Sequence, residues 1–134
     1  MIKHTELRCG NKVHISGKED LNERLVATVG EIHYFGSTLE CDFGKGEGEE
    51  DCDIDHEDLI PIPLSEEWLI RAGAESSVFD NRKQYFLRKF GRLIIYQDGQ
   101  FHEYATRVKL PFVHTLQNFI FVISDGEELT FKDL

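Results

Sequence analysis

PIPLSEEWLIRAG, from Pro61 to Gly73, divides this chain into two dissimilar halves. Pro61 and Pro63 hold the backbone extended, because the pyrrolidine ring fixes φ and biases the preceding residue away from helix. Every sign of a short helix follows at once. Ser65 can cap it, Glu66 and Glu67 complement its positive end, Arg71 suits its negative end, and Gly73 can terminate it. Leu64 and Leu69 stand at the two positions of a hydrophobic staple, and Trp68, Leu69 and Ala72 supply one apolar face to lay on a sheet. The division falls between residues 1–62 and 63–134.

Upstream of this boundary the chain reads as short strands broken by Gly and Asn: KVHI after Gly10-Asn11, RLVATVGEIHYF, STLECDF and DLIPIPL. A glycine turn opens the first strand, Gly30 interrupts a long second one, and DHEDL makes a short turn before IPI. That spacing predicts an SH3-like small β-barrel for residues 1–62 rather than a sandwich. Lys45 to Asp51 is too polar and glycine-rich to pack and reads as a mobile loop.

Downstream, the pattern predicts an α+β unit: antiparallel strands QYFLRKF and RLIIYQ, an Asp98-Gly99 turn, and QFHEYATRVKL as the next strand. VHTLQN reads as a helical segment leading into a strand FIFVIS, with Asp125-Gly126 and EELTF closing a hairpin. One helix from Val113 to Ile123 is the rival, since Val113, Leu116, Ile120 and Ile123 also fit helical spacing. The fold expected is α+β and mostly β.

The 134 residues include 15 Lys and Arg against 25 Asp and Glu, for a net charge of −10, and ten Phe. Such an apolar content suffices for a core without disulfides or a structural metal. The opening residues MIKHTELRCGN lack the apolar run of a targeting signal, and no later run approaches the length of a membrane span. A soluble cytoplasmic protein with no membrane association is expected. Cys9, Cys41 and Cys52 are an odd number without repeated spacing, which argues for reduced thiols. The net charge disfavours nonspecific nucleic-acid binding. Its distribution is uneven: Gly44 to Asp58 holds eight acids against one Lys, and Arg82 to Arg92 holds five basic residues and no acid.

Three stretches, ELRCGNKV (Glu6 to Val13), PIPLSEEWLIRAGAE (Pro61 to Glu75) and VHTLQNFIFVISDGEEL (Val113 to Leu129), resemble an uncharacterised family of small proteins. Its members come from gut bacterial genomes and their prophage or conjugative regions. They run ELRIGN-x-V, then PIPLTEEWL with a following FGF, then VHxLQNLYFALTGEEL. No activity is established for that family, so the resemblance implies an architecture and a mobile-element setting and transfers no catalytic residue. The chain departs from it at Cys9, at Ala74 and by the extra residue Asp125. An insertion before Gly126 suits a loop or hairpin end better than a helix interior, which favours the strand reading of FIFVIS.

His114, Gln117 and Asn118 could present a base and two amides in one cleft, but no nucleophile accompanies them. Set among Phe112, Val113, Leu116 and Phe119, they read instead as a structural polar joint between helix and strand. His33, Cys41, Cys52 and His56 are of zinc-ligating type, yet without a CxxC or HxxxH unit they predict no metal site. Asp51, Asp53 and Asp55 lack the glycine and the glutamate of a calcium loop. Gly44, Gly46 and Gly48 lack the Lys-Ser/Thr of a phosphate loop. No cofactor is expected.

Arg82, Lys83, Arg88, Lys89 and Arg92, interleaved with Tyr85, Phe86 and Phe90, could form the face of a single-strand binder. The plainer reading is that the phenylalanines pack and the arginine stems cover them. Three functional expectations follow. The first is a non-enzymatic accessory or adaptor protein that binds another protein through barrel loops or an exposed sheet edge. The second is a nucleic-acid-related module, either binding single strands through Arg82, Lys83, Phe86, Arg88, Lys89 and Arg92 or mimicking DNA charge with Glu47 to Asp58. The third is a small hydrolase or metal-dependent enzyme.

Overall fold

The computed structural model of the chain describes residues 7, 8, 10–20, 23–33, 38–42, 52–55 and 59–132. Among these residues the fold is α+β and mostly β, with two antiparallel sheets of five and four strands and two helices. Two compact units divide the chain, Met1–Ile62 and Pro63–Leu134. No helix among the described residues is long and apolar enough to cross a membrane.

In the first unit β1 (Lys12–Asp20), β2 (Glu23–His33), β3 (Thr38–Asp42), β4 (Cys52–Asp55) and β5 (Leu59–Ile60) lie in the order β4-β3-β2-β1-β5. After the meander through β4, the chain returns to β1, with His14 opposite Ile60 and Ile15 opposite Leu59. Gly10 opens β1 at φ 96°, a conformation that suits a residue without a Cβ. Its N–H donates to the Val29 carbonyl at 2.7 Å. The fully buried Asn11 accepts the Arg8 N–H on its side-chain oxygen at 2.7 Å, so this polar group is satisfied where it is enclosed. The interruption expected at Gly30 is a register shift between Val29 and Glu31.

Part of the acidic stretch, Cys52–Asp55, is strand β4. Cys52–Asp55 pairs with Thr38–Cys41, because backbone pairing to β3 outweighs the poor strand propensity of aspartate. Lys45 to Asp51, expected to be mobile, lies outside the described residues.

The second unit begins with α1 (Glu66–Arg71), signed as its sequence predicts. Ser65 accepts the Trp68 N–H at 3.4 Å, and Gly73 ends the helix at φ 93°. A meander follows: β6 (Glu75–Phe79), β7 (Arg82–Leu87), β8 (Arg92–Gln97) and β9 (Gln100–Glu103), paired in that order. The sequence did not announce β6, whose Glu-Ser-Ser start carries little strand signal. It forms because Asp80 and Asn81, at φ 53° and 61°, make a two-residue turn matched to strand twist. Asp98 and Gly99, at φ 54° and 75°, make the next such hairpin. On one face of this sheet Tyr85, Leu87 and Ile94 are buried. Glu66 of α1 lies near enough to the Tyr85 side chain to raise its pKa.

The strand expected through Leu110 stops at Glu103. That carboxylate, 1% exposed, accepts the N–H groups of Ala105 and Thr106, and the chain turns back. Val108 to Leu110 then runs beside β9, with His102 bridged to Lys109 and the Leu110 N–H on the Phe101 carbonyl at 2.9 Å.

The C-terminal hairpin is also corrected. A single helix, α2 (Val113–Ile123), takes its place. Val113, His114, Leu116, Gln117 and Ile120 are buried while Val122 is 77% exposed, a period of 3.6 rather than 2. Packing of that stripe overrides the strand propensity of Phe, Ile and Val. Asp125 and Gly126, at φ 60° and 98°, terminate the helix, with the Gly126 N–H on the Phe121 carbonyl at 2.8 Å. The extra residue Asp125 thus sits just past the helix end, where it costs no helical turn. EELTF is not a strand: Phe131 packs edge-on against Trp68 at 5.1 Å, and the Lys132 N–H donates to the Arg71 carbonyl at 2.7 Å.

Candidate anion-binding cleft

Directly opposed residues of neighbouring strands share a face, so the register sorts the basic residues of the second unit. Lys83 opposes Tyr96 and Leu87 opposes Arg92, which places Lys83 and Arg92 on the face of Tyr85 and Ile94. Arg82 falls on the other face, with Phe86, Ile95 and His102. Arg88 and Lys89 lie in the turn between β7 and β8. The single basic and aromatic face that Arg82 to Arg92 could have formed on one strand is therefore not formed, because the chain reverses at Gly91.

Two of these cations are also engaged within the sheet. Arg88 makes paired 2.9 Å hydrogen bonds to the Glu75 carboxylate across the exposed surface, and this contact lowers the Glu75 pKa. Its guanidinium lies 5.6 Å from the Phe86 ring. Arg92 stands 3.5 Å from buried Glu103. Lys89 lies 5.5 Å from the ring of Phe90.

Arg82 has a different setting. Its Nε is buried without a hydrogen-bond partner, a costly position for a cationic donor. Arg82 lines a cleft of about 620 Å³ together with Gln97, Gln100 and His102 of the same sheet face. The segment after β9 closes the cleft with Tyr104, Ala105, Arg107 and Lys109, and Asp98 is the one acid in its lining. Three fixed cations, an imidazole and two amides thus converge around one carboxylate.

The loop that brings Arg107 here is held from below. Besides the Ala105 and Thr106 N–H groups, Glu103 engages the Arg107 N–H through its own carbonyl at 2.8 Å. Arg107 is left at φ 63°, a left-handed conformation that bulky residues adopt only when the surroundings impose it. Among the described residues Arg82, Arg107 and Lys109 form no ion pair.

Comparison of the chain with protein-family models, curated proteins and solved structures gives no significant match. Geometry and charge therefore carry the functional reading.

Of the residues the sequence singles out, Arg82 alone lines the cleft. His114 and Gln117 are buried on α2, and His114 stacks on Phe112 at 5.6 Å and 7°. With Asn118 they are each held by neighbouring groups. No strand follows them, so they form a polar stripe on one helix face rather than a helix-to-strand joint. Among the proposed zinc ligands, Cys41 and Cys52 are opposed in β3 and β4, while His33 pairs with Thr38 at the far end of the β2–β3 pair; His56 lies outside the described residues. No group of three metal-ligating residues occurs among the described residues.

His102, Arg107 and Lys109 were missed because an unbroken strand from Gln100 to Leu110 sends His102 and Arg107 to opposite faces. One signal was present: residues 82–109 hold seven Lys and Arg against two acids. Residues 63–134 hold nine Lys and Arg against ten acids, leaving six against fifteen in the first 62. The acidity of the chain belongs almost wholly to the first unit.

Proposed function

We propose that this chain is a non-enzymatic accessory protein of a mobile genetic element, acting in the bacterial cytoplasm. In this reading an SH3-like barrel precedes an α+β unit that engages a phosphate-bearing partner. The observation that carries it is the convergence of Arg82, His102, Arg107 and Lys109 on one cleft. Phosphate oxygens suit this lining, since they accept from guanidinium, ammonium and amide together and neutralise the excess charge. Such binding is local and survives an overall charge of −10 because fields are screened over roughly 8 Å at physiological salt.

A labelled tetrahydrofuran-abasic DNA strand of about twelve units, within the span of such sites, tests the reading without any base. Fluorescence anisotropy should show saturable binding that weakens with salt, and Arg82→Glu or Arg107→Glu should weaken it at least roughly 10-fold. Equal affinity in wild type and both variants would overturn the assignment.

A second reading, in which an extended segment of a partner protein adds to the sheet, is favoured by β6. All five of its residues are exposed, with Val78 at 70% and Phe79 at 64%, and among the described residues no strand lies beside its outer edge. Edge strands of this kind accept added strands through main-chain hydrogen bonds.

A further inference from the structure

We infer that the phosphate-bearing ligand of the cleft is single-stranded nucleic acid, with bases stacked on Tyr104 and Phe79. This rests on the cleft being a phosphate site and adds the class of ligand.

Both residues stand on the cleft's side of the sheet. Tyr104 lines the cleft itself and is 57% exposed. Its N–H donates to the Leu93 carbonyl at 2.9 Å, and the N–H groups of Ala105 and Thr106 are held by the buried Glu103 carboxylate. The ring is therefore carried on a fixed backbone, three residues before Arg107. Phe79 directly opposes Arg82 in the β6–β7 register and so shares its face. Opposed side chains on one face have Cβ atoms roughly 5 Å apart, which sets the exposed Phe79 next to the Arg82 wall of the cleft.

The register continues this row from Phe79 and Arg82 through Gln97 to Gln100, all on one face. Four strands at their usual spacing make the row roughly 14 Å long, which suits a strand better than a single nucleotide. Among the described residues Ala105 is the one aliphatic residue lining the cleft, so the site has no pocket for an apolar side chain of a phosphopeptide. An exposed ring beside fixed cations instead offers a face on which any base can stack while its phosphates meet the cations. Gln97 and Gln100, also in the lining, present amides to base edges. Paired bases are already stacked on each other and show only their edges, so the ligand is an unpaired strand.

The experiment compares a labelled oligothymidine with the abasic strand of equal length and charge, on the full chain. Each stacked base contributes about 5-fold or more, so with two rings oligothymidine should bind at least roughly 30-fold more tightly. Tyr104→Leu and Phe79→Leu should each weaken oligothymidine by about 5-fold or more while the abasic strand stays within roughly 2-fold of wild type. Tyr104→Phe and Phe79→Tyr, which keep a ring, should restore the binding lost in the leucine variants. Melting curves of all four variants should match wild type, since both positions are exposed. An unlabelled phosphoserine peptide of equal charge should compete less well than oligothymidine. Equal affinity for the two strands, no loss or an equal loss of both strands in the leucine variants, or stronger competition by the peptide overturns the nucleic-acid assignment and leaves the phosphate site standing. Absence of binding by either strand overturns both.

Discussion

Arg92 and Glu103 occupy neighbouring strands on one face of the second sheet, and a guanidinium nitrogen of Arg92 lies 3.5 Å from the Glu103 carboxylate. The cation is part-exposed and the acid is 1% exposed, so the carboxylate depends on its partners more than Arg92 depends on it. Its other two hydrogen bonds fix the loop that places Arg107 in the cleft. Glu103→Ala should therefore destabilise the protein by about 1 to 3 kcal/mol and also weaken the abasic strand. Denaturant melts and anisotropy measured together check it. Loss of stability with intact binding would show that the loop does not position the site.

His114→Ala and Gln117→Ala should each cost about 1 to 3 kcal/mol, since both side chains are buried and engaged, and deletion strands the groups that hold them. Strand binding should be unaffected, because neither lines the cleft. Wild-type melting temperatures would contradict a structural role.

Tyr85 should ionise above the ordinary phenol value of 10.0, because burial penalises the phenolate and nearby Glu66 repels it. A raised pKa in the folded state means that this contribution to stability is complete below pH about 10 and is lost as pH rises through the higher folded value. Glu66→Gln should lower the Tyr85 midpoint. Tyrosine difference absorbance of the two proteins, referenced to Tyr85→Phe, measures it.

Val78→Lys combined with Phe79→Lys should leave the melt within about 0.5 kcal/mol of wild type, as both side chains are largely exposed. If a partner strand adds to β6, capture of that partner from the host should be lost with the double variant. Retained capture would remove β6 from the interface.

Gly126→Ala should cost about 1 kcal/mol. The nearest atoms to an added Cβ are in the Phe121 ring at 4.0 Å, so space is adequate and the penalty comes from φ 98° alone. A full melt series on Gly126→Ala and Gly126→Asn checks this, with asparagine the better tolerated.

What the sequence by itself determined is local. Ser65, the two glutamates, Arg71 and Gly73 specify α1 within a single stretch, and Asp98-Gly99 specifies its hairpin, because capping groups and positive φ act over three or four residues. The tertiary structure alone decided the rest. Whether Phe119 to Ser124 is strand or helix depends on which residues find a core, and burial of Ile120 with exposure of Val122 settles it for helix. The basic residues behave likewise. Arg82 and Arg92 are separated onto opposite faces by a reversal at Gly91, while Arg82 and Arg107, 25 positions apart, are brought to one cleft by strand pairing and a buried carboxylate. Residue spacing carries no record of that, since a site built across strands depends on register and on contacts distant in the chain.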